Sequence, residues 1–269
     1  MAYDVQWARL DTGPELPYVV QGDATGTPVV LLHGYAESWR SFELVLRQLP
    51  RELRAFAVSQ RGHGGPRTHA GDYSLRAMAD DVPAFMDALG LDAAVVAGAS
   101  MGGYVAQRLA ADHPERVAGL VLIGSPRTLQ AIPAVAAFAE RLDGQPDPVD
   151  RGFVREFVAS TLGARPLPAA FLEAMRNDAQ AVPKHVWQLT LDALTEAAPP
   201  TDAASIATPA MVLWGERDEY VSRDDAERLA GAIVGSTLVV YEGCGHALAW
   251  EQPGRVATDI AGFVERLRV

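Results

Sequence analysis

The stretch Ala93-Ala94-Val95-Val96-Ala97-Gly98-Ala99-Ser100-Met101-Gly102-Gly103-Tyr104 decides how this chain reads. Its first half is an unbroken apolar run, the pattern of a strand buried on both faces. Its second half is Gly-x-Ser-x-Gly, and an amphipathic stretch from Tyr104 to Ala111 follows, ending at His113-Pro114. A strand that turns sharply into a helix around this pattern holds its serine in a strained backbone with the hydroxyl exposed. The flanking positions must be small, because a side chain there would meet the strand or the helix, and Gly98 and Gly102 satisfy this. The helix N-terminus behind Ser100 offers unpaired N–H groups and a dipole suited to negative charge. Ser100 is therefore a candidate nucleophile, set against the plainer reading of a strand-to-helix turn capped by a serine.

Outward from this stretch, short apolar runs alternate with amphipathic ones. The strand-like runs are Pro28 to Leu32, Ala55 to Ser59, Ala93 to Ala97, Val117 to Ile123, Pro209 to Trp214 and Thr237 to Tyr241. Val5 to Leu10 and Leu16 to Val20, joined around Gly13-Pro14, read as an antiparallel hairpin at the edge. Helical spacing is clear in Trp39 to Leu49, in the segment after Ser74 up to Gly90, and from about Arg255 to Leu267. This alternation predicts an α/β fold: a mostly parallel sheet flanked by helices. The rhythm breaks between about Pro126 and Ala207, where helical patches (Phe153 to Leu162, Ala169 to Met175, Val186 to Leu194) are separated by prolines. The expected organisation is a core of residues 1–125 and 208–269 with an all-helical cap, residues 126–207, over the carboxyl edge of the sheet, where ligands bind in open α/β folds.

A serine needs a base, and a base needs an acid to orient it. His246, in Glu242-Gly243-Cys244-Gly245-His246, follows the last strand and so shares the sheet edge with Ser100. His113 sits at a helix end, and His69 and His185 lie in a loop and in the helical region, which makes them weaker candidates. Asp218 follows the preceding strand in Trp214-Gly215-Glu216-Arg217-Asp218, with Glu216 and Glu219 as rivals in the same loop. The other usable edge position offers Gly124-Ser125-Pro126 and no carboxylate. An oxyanion needs two N–H donors, and the expected ones are the Met101 N–H and the Tyr35 N–H in His33-Gly34-Tyr35. Trp39 and Trp187 are the candidates for the substrate pocket. His33 and His63 read as turn-stabilising residues and Cys244 as a small buried one.

These pieces carry a resemblance. His33-Gly34, Arg61-Gly62-His63-Gly64, the turn around Ser100, Asp218 and Gly245-His246 together resemble the α/β-hydrolase family over nearly the whole chain. The resemblance implies a catalytic triad of Ser100, Asp218 and His246, in the order that fold uses. It also implies a helical lid and no cofactor. The Gly-x-Ser-Met-Gly-Gly turn is similar to those of esterases and of cofactor-free haloperoxidases. One departure is Ser59-Gln60, where the family often carries an acid two positions before Arg-Gly-His-Gly.

The expected activity is hydrolysis of small to medium apolar carboxylic esters through an acyl-enzyme. Rival activities of the same triad are lactone opening, carbon–carbon cleavage of diketones and peracid formation. A small-ligand receptor is the non-enzymatic alternative. Dehalogenase and epoxide hydrolase chemistry would place an aspartate where Ser100 stands. No His-Glu-x-x-His pattern or close His/Asp cluster suggests a metal.

Composition agrees with this reading. The chain has 269 residues, 49% hydrophobic and 21% charged, enough for a large core without staples. The net charge of −11 disfavours nucleic acid and anionic lipid as partners, leaving a small-molecule ester as the expected one. A single cysteine, Cys244, cannot form an internal disulfide. Without a signal-peptide pattern or a long apolar segment, the sequence reads as a cytoplasmic protein with no membrane association. Composition leaves the oligomeric state open.

Overall fold

The computed structural model describes residues 3–68, 71–203 and 205–267. Eight strands form one sheet: β1 (Gln6–Arg9), β2 (Glu15–Gln21), β3 (Thr27–Leu32), β4 (Leu53–Val58), β5 (Ala94–Ala99), β6 (Val117–Ile123), β7 (Ala210–Gly215) and β8 (Thr237–Tyr241). Their order across the sheet is β1-β2-β4-β3-β5-β6-β7-β8. β1 and β2 form the expected antiparallel hairpin, and β2 pairs antiparallel with β4. Every pairing from β4 to β8 is parallel. The central strands are apolar on both faces because helices cover both; Val29 to Leu32, Val95 to Ala97 and Leu120 to Ile123 are all buried.

The helices are α1 (Glu43–Leu46), α2 (Leu75–Ala88), α3 (Met101–Asp112), α4 (Pro133–Asp143), α5 (Arg151–Ser160), α6 (Ala169–Gln180), α7 (Lys184–Glu196), α8 (Pro200–Ala203), α9 (Arg223–Ala232), α10 (Leu248–Glu251) and α11 (Pro253–Leu267). Capping explains several boundaries. Ser74 accepts the Ala77 N–H at the start of α2, Asp150 accepts from Gly152 and Phe153 ahead of α5, and Ser222 accepts from Asp225 ahead of α9. The helix expected over Trp39 to Leu49 is broken: Trp39–Phe42 winds as a tighter turn and α1 adds only one more. The Ser38 hydroxyl accepts the Arg40 N–H, and the Trp39 N–H is drawn to the Ser59 hydroxyl at 3.0 Å. The first backbone donors of that segment are thus spent on side chains.

Helices α4 to α8 form one insertion between β6 and β7. Expected helical patches correspond to α5, α6 and α7; α4 was not anticipated. Its residues are mostly exposed or half-buried, with only Leu142 fully buried, so it lacks a clear core-facing stripe.

Beneath the insertion, Arg61 forms a buried two-pronged ion pair with Asp81 of α2, both contacts at 2.6 Å. Asp81 also accepts from the Thr12 hydroxyl at 2.5 Å. Removing one partner of such a pair strands a buried charge, at a cost of about 3–5 kcal/mol. His63 Nδ1 contacts the Arg61 carbonyl at 2.9 Å and its ring meets His33 edge-on at 5.1 Å between centroids. The Arg61-Gly62-His63-Gly64 stretch is therefore a structural knot under the site.

Candidate active site

β5 delivers Ser100 to the carboxyl edge of the sheet, and α3 departs from it. Ser100 has φ 48° and ψ −113°, a left-handed backbone that costs a non-glycine residue about 1–3 kcal/mol. Its N–H is anchored to the Ile123 carbonyl at 2.9 Å. The glycines make the turn possible. A Cβ on Gly98 would lie 2.2 Å from the Gly102 carbonyl oxygen, and one on Gly102 would lie 2.2 Å from that of Leu32.

His246, in the loop after β8, reaches Ser100 Oγ through Nε2 at 2.8 Å. Its Nδ1 meets Asp218 Oδ2, also at 2.8 Å. Asp218, in the loop after β7, is buried, and its Oδ1 accepts the N–H groups of Tyr220 at 2.8 Å and Val221 at 2.9 Å. A carboxylate held this way takes a proton donor at Nδ1 and leaves Nε2 to accept from the serine. Burial works against the charged ring, but the Asp218 charge and hydrogen bond, helped by Glu37, outweigh it and hold the His246 pKa above its ordinary value. An imidazole so placed can take the Ser100 proton and carry positive charge while it does so.

The rival residues separate. Glu216 accepts the Gly243 N–H at 2.9 Å, and Glu219 is exposed at the cavity mouth. His113 pairs with Asp80 at 3.1 Å, distant in role from Ser100. His185 lies on α7 beside Tyr73, and His69 lies outside the described residues. His33 is fully buried: its Nε2 accepts the Gln60 N–H at 2.9 Å and its Nδ1–H donates to the Gly34 carbonyl at 2.7 Å. Burial, then the neighbouring His63, hold its pKa well below the ordinary value.

Ser100 and His246 open onto a cavity of about 530 Å³ between the sheet edge and the insertion. Tyr35 and Met101 border it beside the serine. Its walls are mainly apolar: Leu129, Ile132, Val135, Phe138, Phe157 and Leu191 are representative. The charged members of the lining are Glu37, Glu156, Glu219 and Arg141, and Arg141 is already paired with Glu156 at 2.6 Å.

Neither expected tryptophan is part of this lining. Trp39 is turned to Tyr3, with Arg40 over its ring, and Trp187 is fully buried inside the insertion. Trp187 instead backs the wall: its ring meets Tyr35 at 5.2 Å and Phe157 at 5.3 Å, and its carbonyl accepts the Tyr35 hydroxyl at 2.5 Å. Glu37, Tyr220 and the α4 wall join the site without having been marked by any sequence motif. Tyr220 packs against the His246 ring, centroids 5.1 Å apart and tilted by 46°, and its hydroxyl shares a 2.5 Å hydrogen bond with Ser160 of the insertion. The position of Tyr220 two residues after Asp218 was the one signal available for it.

Among the described residues no group of three or more His, Cys, Asp or Glu side chains is arranged to hold a metal ion, and no helix is long and apolar enough to cross a membrane.

Residues 27–253 match the family model described as the alpha/beta hydrolase fold. The chain belongs to the α/β-hydrolase family. Within it, the chain is 27% identical to monoacylglycerol lipase abhd6-A of Xenopus laevis, over 89% of this chain and 76% of that protein. It is 29% identical to 2-hydroxymuconate semialdehyde hydrolase of a Pseudomonas species, over 89% of this chain and 87% of that one. Among solved structures it superposes on an esterase from a Rhodococcus species with a TM-score of 0.84 and 26% identity, covering 98% and 99% of the two chains. Relatives of this α/β hydrolase thus include lipases, esterases and carbon–carbon hydrolases.

Proposed function

We propose that this α/β hydrolase cleaves neutral carboxylic esters with small to medium apolar groups through an acyl-enzyme. The observation that carries the reading is the hydrogen-bonded run Ser100–His246–Asp218 opening onto an apolar cavity. Ser100 Oγ attacks the ester carbonyl carbon while His246 Nε2 takes the hydroxyl proton, and Asp218 stabilises the resulting imidazolium. The Tyr35 and Met101 N–H groups receive the developing oxyanion, each worth about 3–4 kcal/mol of barrier. Collapse expels the alcohol, which takes the proton from His246. Water, activated by the same imidazole, then releases the acid and restores Ser100. In this reading residues 126–207 are a cap that walls the cavity, and residues 1–125 and 208–269 form the catalytic core.

The charge of the lining favours neutral esters over an acidic diketone as substrate. Among the described lining residues Glu37, Glu156 and Glu219 set three carboxylates against the single guanidinium of Arg141, which already pairs with Glu156, so the lining offers an anionic substrate little net attraction. The test is a panel of p-nitrophenyl acyl esters from two to twelve carbons, with Ser100→Ala as control. Turnover peaking at short to medium chains and absent in S100A supports the reading. Turnover retained in S100A, or confined to a carboxylate-bearing carbon–carbon substrate, contradicts it.

A further inference from the structure

The turn after β3 runs Gly34-Tyr35-Ala36-Glu37. The Glu37 N–H reaches back to the Gly34 carbonyl at 3.4 Å, and Ala36 sits at φ 58°, in the region that favours glycine. Such a turn has to be held by its surroundings. The group that holds it is the Glu37 carboxylate, whose Oε2 accepts the Gly34 N–H at 2.9 Å and the Ser41 hydroxyl. Ser41 in turn accepts the Trp250 Nε1–H at 3.0 Å, and Trp250 lies on α10, just after His246. One side-chain chain therefore ties the turn carrying Tyr35 to the segment that follows His246. Glu37 also lines the cavity together with Ser100 and His246.

We infer that Glu37 is a positioning residue of this site: it clamps the turn that presents the Tyr35 N–H, and it supplies a second carboxylate to the cavity that Ser100 and His246 line. The inference rests on the ester-hydrolase reading for its kinetic consequences. Burial pushes the Glu37 carboxyl up, while its bonds from Ser41 and Gly34 and the nearby His246 pull it back toward the charged form. The other groups around His246 are otherwise engaged. Asp218 occupies Nδ1, and Ser100 meets Nε2. Tyr220 meets the ring at a tilt of 46°, and Glu251 of α10 accepts the Gly245 and Gly163 N–H groups at 2.9 and 3.0 Å. Glu219 and the Arg141–Glu156 pair belong to the mouth of the cavity. A second anion stabilises the imidazolium formed when Ser100 loses its proton. It also keeps the ring protonated to higher pH, so its removal extends activity toward acid while lowering the plateau rate.

The experiment compares wild type with Glu37→Gln, which keeps the acceptor and loses the charge. In E37Q the acid limb of kcat/KM falls by about one pH unit, as for loss of a nearby opposite charge. The kcat at pH 8 falls roughly tenfold and KM stays within about twofold, because the interaction lost is one made in the transition state. Glu37→Asp, which keeps the charge, leaves the acid limb near that of wild type. Glu37→Met, of similar length and uncharged, replaces E37Q should the latter not fold. NMR titration of the His246 ring in a Ser100→Ala background reads the same shift without turnover. An unmoved His246 titration in the neutral variants overturns the inference even if S100A abolishes hydrolysis. Hydrolysis surviving in S100A overturns the functional reading instead, and leaves the ring titration to judge Glu37.

Discussion

Gly102, in the turn behind the cavity's Ser100, and Phe138, in the cavity wall, are constrained in different ways. At Gly102 backbone presses on backbone: the Leu32 carbonyl occupies the place a Cβ would take, and no rotamer can relieve that contact. Phe138 is half-buried on α4, and its neighbours are other side chains, with ring contacts to Phe153 at 5.3 Å and Phe157 at 5.5 Å. Apolar side chains of similar volume can exchange in such a setting for less than about 1.5 kcal/mol. The sheet edge thus fixes the position of Ser100 through contacts that admit only glycine at Gly98 and Gly102. The insertion walls the cavity through contacts that many sequences satisfy.

This contrast can be broken or sharpened by substitution. The largest effect is expected on the sheet side. Asp218→Asn should leave the fold intact and lower kcat by roughly 10³–10⁴-fold, since the ring loses the partner that sets its tautomer; steady-state kinetics on the preferred ester, with circular dichroism as a check, decide it. Gly102→Ala should destabilise the protein by more than about 4 kcal/mol or prevent folding, as expected when a Cβ is forced into backbone. A thermal or urea transition close to that of wild type would show that the turn is more yielding than its geometry indicates.

On the insertion side the effects should be smaller and of another kind. Leu191→Trp, which fills the cavity, should shift the preferred acyl chain to shorter lengths by about 10–100-fold in relative kcat/KM, the range open to hydrophobic pockets. The kcat on an acetyl ester should hardly change. Equal losses on all chain lengths would mean that the insertion shapes the reacting centre as well as the pocket. The mildest effect concerns acid stability. His33 is buried in its neutral form with a depressed pKa, so its contribution is complete above about pH 6.5, its unfolded value, and is lost as pH falls below that. The urea midpoint should therefore decline between about pH 6.5 and 5, and a His33→Gln variant should show a shallower decline from a lower starting point.

The same contrast explains what could be read from the chain in advance. β6 and β8 span the runs Val117 to Ile123 and Thr237 to Tyr241 that the apolar pattern marks: β6 is buried almost throughout, and edge strand β8, only half-buried, still reads as an unbroken β-favouring run between polar turns. The Ser100 turn was legible because glycine is the one residue its backbone contacts allow. Asp218 could be narrowed only to a loop shared with Glu216 and Glu219, since the choice among them is made by the Tyr220 and Val221 N–H groups, which no local pattern announces. Helix α4 was not legible because Val135 and Phe138 face an open cavity instead of packed core. Glu37 was hidden for a related reason: an acid in a loop reads as solvated until its partners, Gly34 and Ser41, are seen around it.

Everything on the sheet side converges on one atom, Ser100 Oγ, and it can be questioned directly. Incubation with a fluorophosphonate, followed by intact mass and peptide mapping, should give one adduct per chain on the peptide carrying Ser100. Ester hydrolysis should fall in step with labelling, and the Ser100→Ala protein should neither label nor turn over. An adduct on another residue, or S100A protein that still hydrolyses the ester at the wild-type rate, would contradict the account.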